Sequence, residues 1–256
     1  MLYQLSKGRS QLNGVFYQLF ELVGVRRHFL NRDFGLTAQS TIGNARGAIS
    51  KELNTAIGRN ITVDELPQIL DLFAGPANSG NRGSIGNAYY RYHLAEGERI
   101  REFQYSSEIW TGKPGVVRRA DDLLITGRRT VDIKTGYANG YPNNAEDVAQ
   151  LQEYAALVRE SQLRRSVNLR KYLEEAGVQG GVLRSHDYLF LPGGAAKAED
   201  AARKSFSKIE ERLANPLDRA NIRVFYLGED GKIYQILRQG KNQPPISQLV
   251  GDKLPN

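Results

Sequence analysis

Apolar residues recur every three or four positions at Leu12, Val15, Phe16, Leu19, Leu22 and Val23, and again at Ile61, Leu66, Ile69, Leu70 and Phe73. That spacing is one face of a helix, so residues 1–77 are predicted to form an α-helical N-terminal subdomain. Thr62-Val-Asp-Glu65 has the form of a capping box, and Pro67 falls in the first turn behind it, which predicts a helix start there. Ala74 to Ser84 is dense in Gly, Pro, Asn and Ser, the composition of a linker, and a domain boundary is expected within it. Ile85 to Ala95 reads as a further helix.

The period then changes. Glu102 to Tyr105, Val116 to Ile125 and Thr130 to Lys134 are short runs separated by Gly-rich or Arg-Arg turns, as in strands joined by hairpins. Asn143 or Asn144 can cap a following helix whose first turn holds Glu146 and Asp147 and whose stripe is Val148, Leu151, Ala155 and Val158. A helix near Val167 to Ala176, a strand at Asp187 to Leu191, a helix from Ala196 to Leu213 and a hairpin of Val224 to Leu227 with Ile233 to Leu237 complete the pattern. The tail from Lys241, with its Pro pair, reads as irregular. Strands and helices mixed in this order imply an α+β or α/β domain over 78–256.

Composition narrows the chemistry. The chain has no Cys and three His among 256 residues, so disulfides, thiolate metal sites and thiol nucleophiles are excluded, and any metal must sit on oxygen or imidazole. No apolar run approaches the roughly 20 residues needed to cross a bilayer. No membrane segment is expected, and the N-terminus shows no charged-then-apolar signal peptide. The net charge of +7 favours polyanionic partners. Residues 99–171 carry 13 Lys and Arg against 9 Asp and Glu and hold most of that excess. The same segment contains three closely spaced aspartates.

Those aspartates lie in Arg118-Arg-Ala-Asp-Asp-Leu-Leu-Ile-Thr-Gly-Arg-Arg-Thr-Val-Asp-Ile-Lys-Thr-Gly136. On a strand, Val131 and Ile133 point one way and Asp132 and Lys134 the other. With the hairpin centred on Gly127-Arg128, Asp121 faces Lys134 and Leu123 faces Asp132, so Asp121, Asp132 and Lys134 converge on one side of the sheet. A register one residue different would bring Asp122 in place of Asp121. Paired carboxylates suit a hard divalent cation such as Mg²⁺, with Mn²⁺ as a plausible substitute, leaving room for water and a substrate phosphate. A lysine beside them can orient the water or neutralise charge developing at phosphorus. Phosphodiester hydrolysis is the reaction this combination fits. An isolated Asp-x-Lys on a strand is commonly a solvated ion pair; the conjunction with an upstream Asp and a following helix distinguishes this one.

An Asp followed after about ten residues by Asp-Ile-Lys resembles the core of the PD-(D/E)xK nuclease superfamily, although the Pro is absent. Gln150-Leu-Gln-Glu-Tyr154 on the next helix is similar to the QxxxY motif of members related to RecB and phage exonucleases; the two residues share a helix face. The resemblance covers roughly residues 84–191. It implies a restriction-endonuclease-like core, a mixed central sheet flanked by helices, preceded here by the helical subdomain. It further implies that Asp121, Asp132 and the Ile133 carbonyl hold the metal, that Lys134 serves the nucleophile, and that Gln150 and Tyr154 steady the site or a phosphate. Members often carry a Glu on the helix before the sheet, where this chain has Asn87; Glu96 or Glu98 are alternatives. Some RecB-like relatives use a His on that helix, and Tyr89-x-x-x-His93 lies there, with a structural or substrate-side role favoured for His93.

The Arg-Arg-Ala-Asp-Asp…Asp-Ile-Lys-Thr-Gly-Tyr run also looks like nuclease domains of bacterial polymorphic toxins, including contact-dependent inhibition and type VI effectors. That likeness implies DNA cleavage with low sequence specificity, a cognate immunity protein, and action in a cytoplasm, the cell's own or that of a target reached by a secretion system. A recombination-type or phage-type exonuclease, a nuclease acting on tRNA or other RNA, and a non-enzymatic nucleic-acid-binding module are the alternatives. Arg118, Arg119, Arg128 and Arg129 flank the hairpin and are candidates for gripping phosphates, with solubilising edge charge as the plain reading. Arg164, Arg165, Arg170 and Lys171 form a second basic cluster. His28 reads as structural, and the many tyrosines read chiefly as core residues with polar tips, some able to stack on unpaired bases.

Overall fold

The structure is a computed structural model and describes residues 51, 54–55, 57–72, 79–193, 197–240 and 243–255. The expected stripe from Leu12 to Val23, His28 and Phe73 lie outside the described residues. The chain divides into two compact units, Met1–His93 and Leu94–Asn256.

In the first unit the capping box is half formed. The Thr62 N–H and hydroxyl both donate to Glu65 Oε2, at 2.8 and 3.1 Å, just ahead of α1, Leu66–Leu72. Leu66, Ile69 and Leu70 form its buried face. α2 runs Ser79–Tyr89 and continues as a π-helical turn, Tyr90–Leu94. Residues 79–84, read from composition as linker, are therefore the first turns of a helix. Tertiary contacts supply what their propensity lacks: Asn81 Oδ1 accepts from Asn54 Nδ2 at 3.0 Å and Arg82 lies 3.9 Å from Asp71, while Ile85 in the next turn is fully buried.

The second unit is built on a seven-stranded mixed sheet flanked by helices, with strands in sequence order. A meander of β1 (Ile100–Ser106), β2 (Val117–Leu124) and β3 (Arg129–Thr135) is antiparallel. β4 (Ser185–Leu191) and β5 (Ile222–Leu227) continue parallel to β3, and β6 (Ile233–Leu237) and β7 (Ile246–Gly251) turn back antiparallel. Between them come α3 (Glu108–Thr111), α4 (Ala145–Leu163), α5 (Val167–Glu175), α6 (Ala198–Arg212) and α7 (Pro216–Asn221). β7 corrects the expectation of an irregular tail: Pro244-Pro245 ends before the strand begins, and β6 supplies the pairing that local sequence does not advertise.

Local chemistry fixes the helix starts. Asn144 accepts from the Asp147 N–H at 2.8 Å ahead of α4, and Ser166 accepts from the Leu169 N–H at 3.1 Å ahead of α5. On the sheet side, Leu151, Tyr154, Ala155 and Val158 of α4 and Ala198, Ala202 and Ile209 of α6 pack with Leu123, Tyr188, Phe190 and Val224 in one core. β3 and β4 are buried along nearly their whole length, as central strands covered on both faces must be.

Candidate active site

β2 carries an extra residue where the chemistry gathers. Arg101 pairs with Leu123 and Phe103 with Ala120, so two steps along β1 match three along β2. The surplus lies at Asp121-Asp122, a β-bulge, which kinks the strand and re-aims its side chains. Toward β3 the ladder holds at Leu124–Arg129, Leu123–Thr130 and Asp122–Val131. Past that pair a carboxylate serves the backbone: Ile133 N–H donates to Asp121 Oδ2 at 2.7 Å, while Asp121 N–H donates to Asp132 Oδ1 at 3.2 Å.

The β2–β3 register is two residues from the expected one. The turn closes with Arg128 N–H donating to the Ile125 carbonyl at 3.3 Å and with Arg128 left-handed at φ 54°, which centres it on Thr126-Gly127. An even shift leaves every side chain on its face. Asp121, Asp132 and Lys134 are thus brought together, as expected, by a different pairing. Asp122 is fully buried in the row that continues through Val131, Asp187 and Arg223, away from Asp132 and Lys134.

Lys134 Nζ donates to Asp132 Oδ2 at 3.0 Å and lies 4.4, 5.4 and 5.7 Å from the ring centres of Tyr141, Tyr188 and Tyr137. Burial alone would discharge the amine, but attraction to Asp132 and the surrounding tyrosines outweighs it and holds the amine above its ordinary range. Asp132 is the mirror case: burial favours its neutral form, and Lys134 with the hydrogen bonds it accepts keeps the carboxyl below its ordinary value. The pair is a salt bridge that carries a full charge on each partner in a nearly dry setting.

α4 holds this pair from above. Tyr154 hydroxyl lies 2.8 Å from the Arg119 carbonyl and 3.3 Å from Asp132 Oδ1. Gln150 Nε2 donates to the Tyr154 hydroxyl at 3.4 Å, and Gln150 Oε1 accepts from Tyr141 at 2.9 Å. The helix spacing of Gln150 and Tyr154 therefore delivers both to one hydrogen-bonded chain that ends on Asp132. Burial pushes the Tyr154 phenol up, and nearby Asp132 pushes it further, so it stays protonated.

Several participants were not selected from sequence. His186 stacks on Tyr154, and its Nδ1 lies 2.8 Å from the Thr130 hydroxyl. Burial lowers its pKa to about 4. Tyr188 follows two residues later on the same face of β4, opposite Asp132 in parallel register. The available signal was alternation along β4, but the expected strand began at Asp187 and left His186 outside it.

The four hairpin arginines separate. Arg118 bonds Glu153 Oε2 at 2.6 Å and also pairs with Glu146. Arg129 is buried and reaches Asp187 at 3.3 Å. Arg119 is exposed and pairs with Glu102 at 3.0 Å, and Arg128 is half-buried at the turn. Arg164, Arg165, Arg170 and Lys171 are exposed, the last two with Glu174 and Glu175 at helical spacing. Glu96 pairs with Lys253 at 2.9 Å. Glu98 approaches Arg129 on the far side of the sheet, where Arg223 also grips Asp187 at 2.8 and 2.7 Å. Neither glutamate joins Asp121 and Asp132. Asn87 and His93 belong to the first unit, where His93 Nε2 lies 3.1 Å from the Arg59 carbonyl.

No group of three or more His, Asp or Glu is gathered in metal-binding fashion among the described residues. Asp121 and Asp132 offer hard oxygen donors from adjacent strands, a set compatible with the one or two carboxylates that Mg²⁺ takes. Compared with family models, with curated proteins and with solved structures, the chain matches none.

Proposed function

We propose that the second unit is a metal-dependent phosphodiesterase acting on DNA, a nuclease of the PD-(D/E)xK type. The observation that carries this reading is the meeting of Asp121, Asp132 and Lys134 where the β2–β3 ladder gives way to a carboxylate. The order of meander, helix and parallel strand, with Gln150 and Tyr154 bonded toward Asp132, adds support.

Asp121, Asp132 and the Ile133 carbonyl are the groups that would hold Mg²⁺ or Mn²⁺, which when bound supplies an activated water and a counter-charge for phosphate. The chain's own contributions are separate. Lys134 keeps a positive charge beside Asp132 and can neutralise an incoming phosphate oxygen. Tyr154 and Gln150 fix the Asp132 carboxylate, and the tyrosine wall behind Lys134 keeps bulk water away from its amine. Arg119 and Arg128 retain surface from which to position a backbone. A toxin role with an immunity partner, and delivery by a secretion system, belong to the same proposal.

Plasmid, linear DNA and tRNA incubated with wild type and Lys134→Ala, in Mg²⁺ and in EDTA, provide the test. Metal-dependent cleavage of at least one of these substrates that the variant loses is the expected result. Absence of cleavage on every substrate replaces the proposal with a nucleic-acid-binding module.

A further inference from the structure

Three rings surround the Lys134 amine, and they are not equivalent. Tyr141 and Tyr188 are fully buried, so their faces are spent inside the protein. Tyr137 is half-buried, sits edge-on to Tyr141 at 5.9 Å between ring centres, and is followed by the exposed Ala138 and Asn139. Among the rings within 6 Å of that amine, Tyr137 is the one with surface left to offer a ligand.

Its loop is held firmly. Lys204 Nζ donates to the Ala138 carbonyl at 3.0 Å, the Tyr141 N–H donates to Ser205 Oγ at 2.7 Å, and Lys208 Nζ donates to Asn143 Oδ1 at 2.8 Å. α6 therefore presents Tyr137 at a set distance from Lys134, 5.7 Å from amine to ring centre, within the reach of one nucleotide. Charge does not by itself favour a duplex here, because most arginines flanking the hairpin are already engaged. Arg118 is neutralised by Glu146 and Glu153, Arg129 is buried with Asp187, and exposed Arg119 is paired with Glu102.

We propose that Tyr137 stacks on the unpaired base next to the phosphate engaged by Lys134, which makes single-stranded nucleic acid the substrate class of this site. The inference rests on the phosphodiesterase reading and sharpens it. A paired base has both faces covered by its neighbours, so a ring at this position gains nothing from an intact duplex, whereas every unpaired base offers a π-face. The shared chemistry is a phosphate with an adjacent unpaired base, in DNA or RNA.

The test is fluorescence anisotropy in EDTA with labelled single-stranded DNA, single-stranded RNA and duplex DNA of one length, using wild type, Tyr137→Leu and Tyr137→Trp, beside cleavage of the same strands in Mg²⁺. Single strands are expected to bind wild type at least tenfold more tightly than duplex. Tyr137→Leu should weaken strand binding by roughly 5- to 100-fold without changing duplex binding, and Tyr137→Trp should restore it. The DNA and RNA arms identify which strand the site takes. Equal affinity for strand and duplex, or unchanged strand binding in Tyr137→Leu, overturns the proposal. Strand binding lost in Tyr137→Leu with no cleavage by wild type overturns the nuclease reading and upholds stacking; cleavage indifferent to strandedness and to Tyr137 does the reverse.

Discussion

Tyr154 lies flat on His186, with ring centres 3.8 Å apart and planes 10° from parallel. The stack fixes the plane in which the Tyr154 hydroxyl can move, and within that plane it meets the Arg119 carbonyl and Asp132 Oδ1. A strand residue thus positions a helix residue, which in turn positions the carboxylate.

Tyr154→Phe keeps the stack and removes the hydroxyl. The single hydroxyl proton shared by the Arg119 carbonyl at 2.8 Å and Asp132 Oδ1 at 3.3 Å is then lost, so stability should fall by about 1 kcal/mol. Cleavage, if Asp132 is the metal carboxylate, should fall at least tenfold with the circular dichroism spectrum unchanged. Denaturant titration and initial rates measure the two effects, and an unchanged rate would separate Tyr154 from the chemistry.

His186 makes the protein sensitive to acid. Its folded pKa, about 4, lies below the ordinary 6.5, so between those values the unfolded chain binds the proton and the folded chain does not. Stability is therefore intact above pH 6.5 and declines toward pH 4, by about 3 kcal/mol from this group. Asp132, also held below its ordinary value, acts in the same direction at lower pH. Melting temperatures from pH 7 to 4.5 should drop in wild type and drop less in His186→Phe; parallel curves would refute the assignment.

Arg118 and Arg119 are neighbours with opposite prospects. Arg118→Ala takes the partner from half-buried Glu153 while exposed Glu146 stays solvated, and should destabilise the fold by about 1 kcal/mol with little change in DNA affinity. Arg119→Ala should leave stability alone, weaken binding and lower the salt dependence of the logarithmic affinity by about one unit. Affinity measured at several salt concentrations distinguishes them.

At Gly140 the backbone is left-handed, φ 75°, and an added Cβ would lie 2.8 Å from Lys204 Cβ and 2.9 Å from the Ser205 nitrogen. Gly140→Ala should cost about 2–3 kcal/mol from backbone strain and the displaced contact together. The loop carrying Tyr137 and Tyr141 would lift from α6, and activity should fall further than in Lys204→Ala, which loses one exposed hydrogen bond.

Asp187 is the counter-ion for two arginines on the far side of the sheet. Asp187→Asn should destabilise by about 2–3 kcal/mol, since it leaves buried Arg129 with the longer approach of Glu98 at 3.9 Å while half-buried Arg223 retains water. Chemical denaturation measures it, and a loss under 1 kcal/mol would show that Ser185 and other neighbours suffice.

Much of this arrangement was legible in the sequence because alternation along a strand is a local property. Val131, Asp132, Ile133 and Lys134 sort themselves onto two faces without any knowledge of partners, and the Asn144 cap and the Gln150/Tyr154 spacing are equally local. What depends on distant chain was not legible. Turn geometry set the hairpin register, and the bulge in β2 shows only against β1. Residues 79–84 have loop composition and join a helix that Asn54 and Asp71 contact from elsewhere in the chain, while Ile246 to Gly251 becomes a strand because β6 is there to receive it. His186 gains its place from Tyr154, thirty-two residues away in the chain.

The extra residue in β2 gives two adjacent aspartates unrelated employment. Asp121 caps the Ile133 amide beside Asp132, and Asp122 lies sealed in the row shared with Asp187. A single dipeptide thus links two polar districts on either side of one sheet, so shortening it by one residue would flatten the strand and leave a single carboxylate to choose between them.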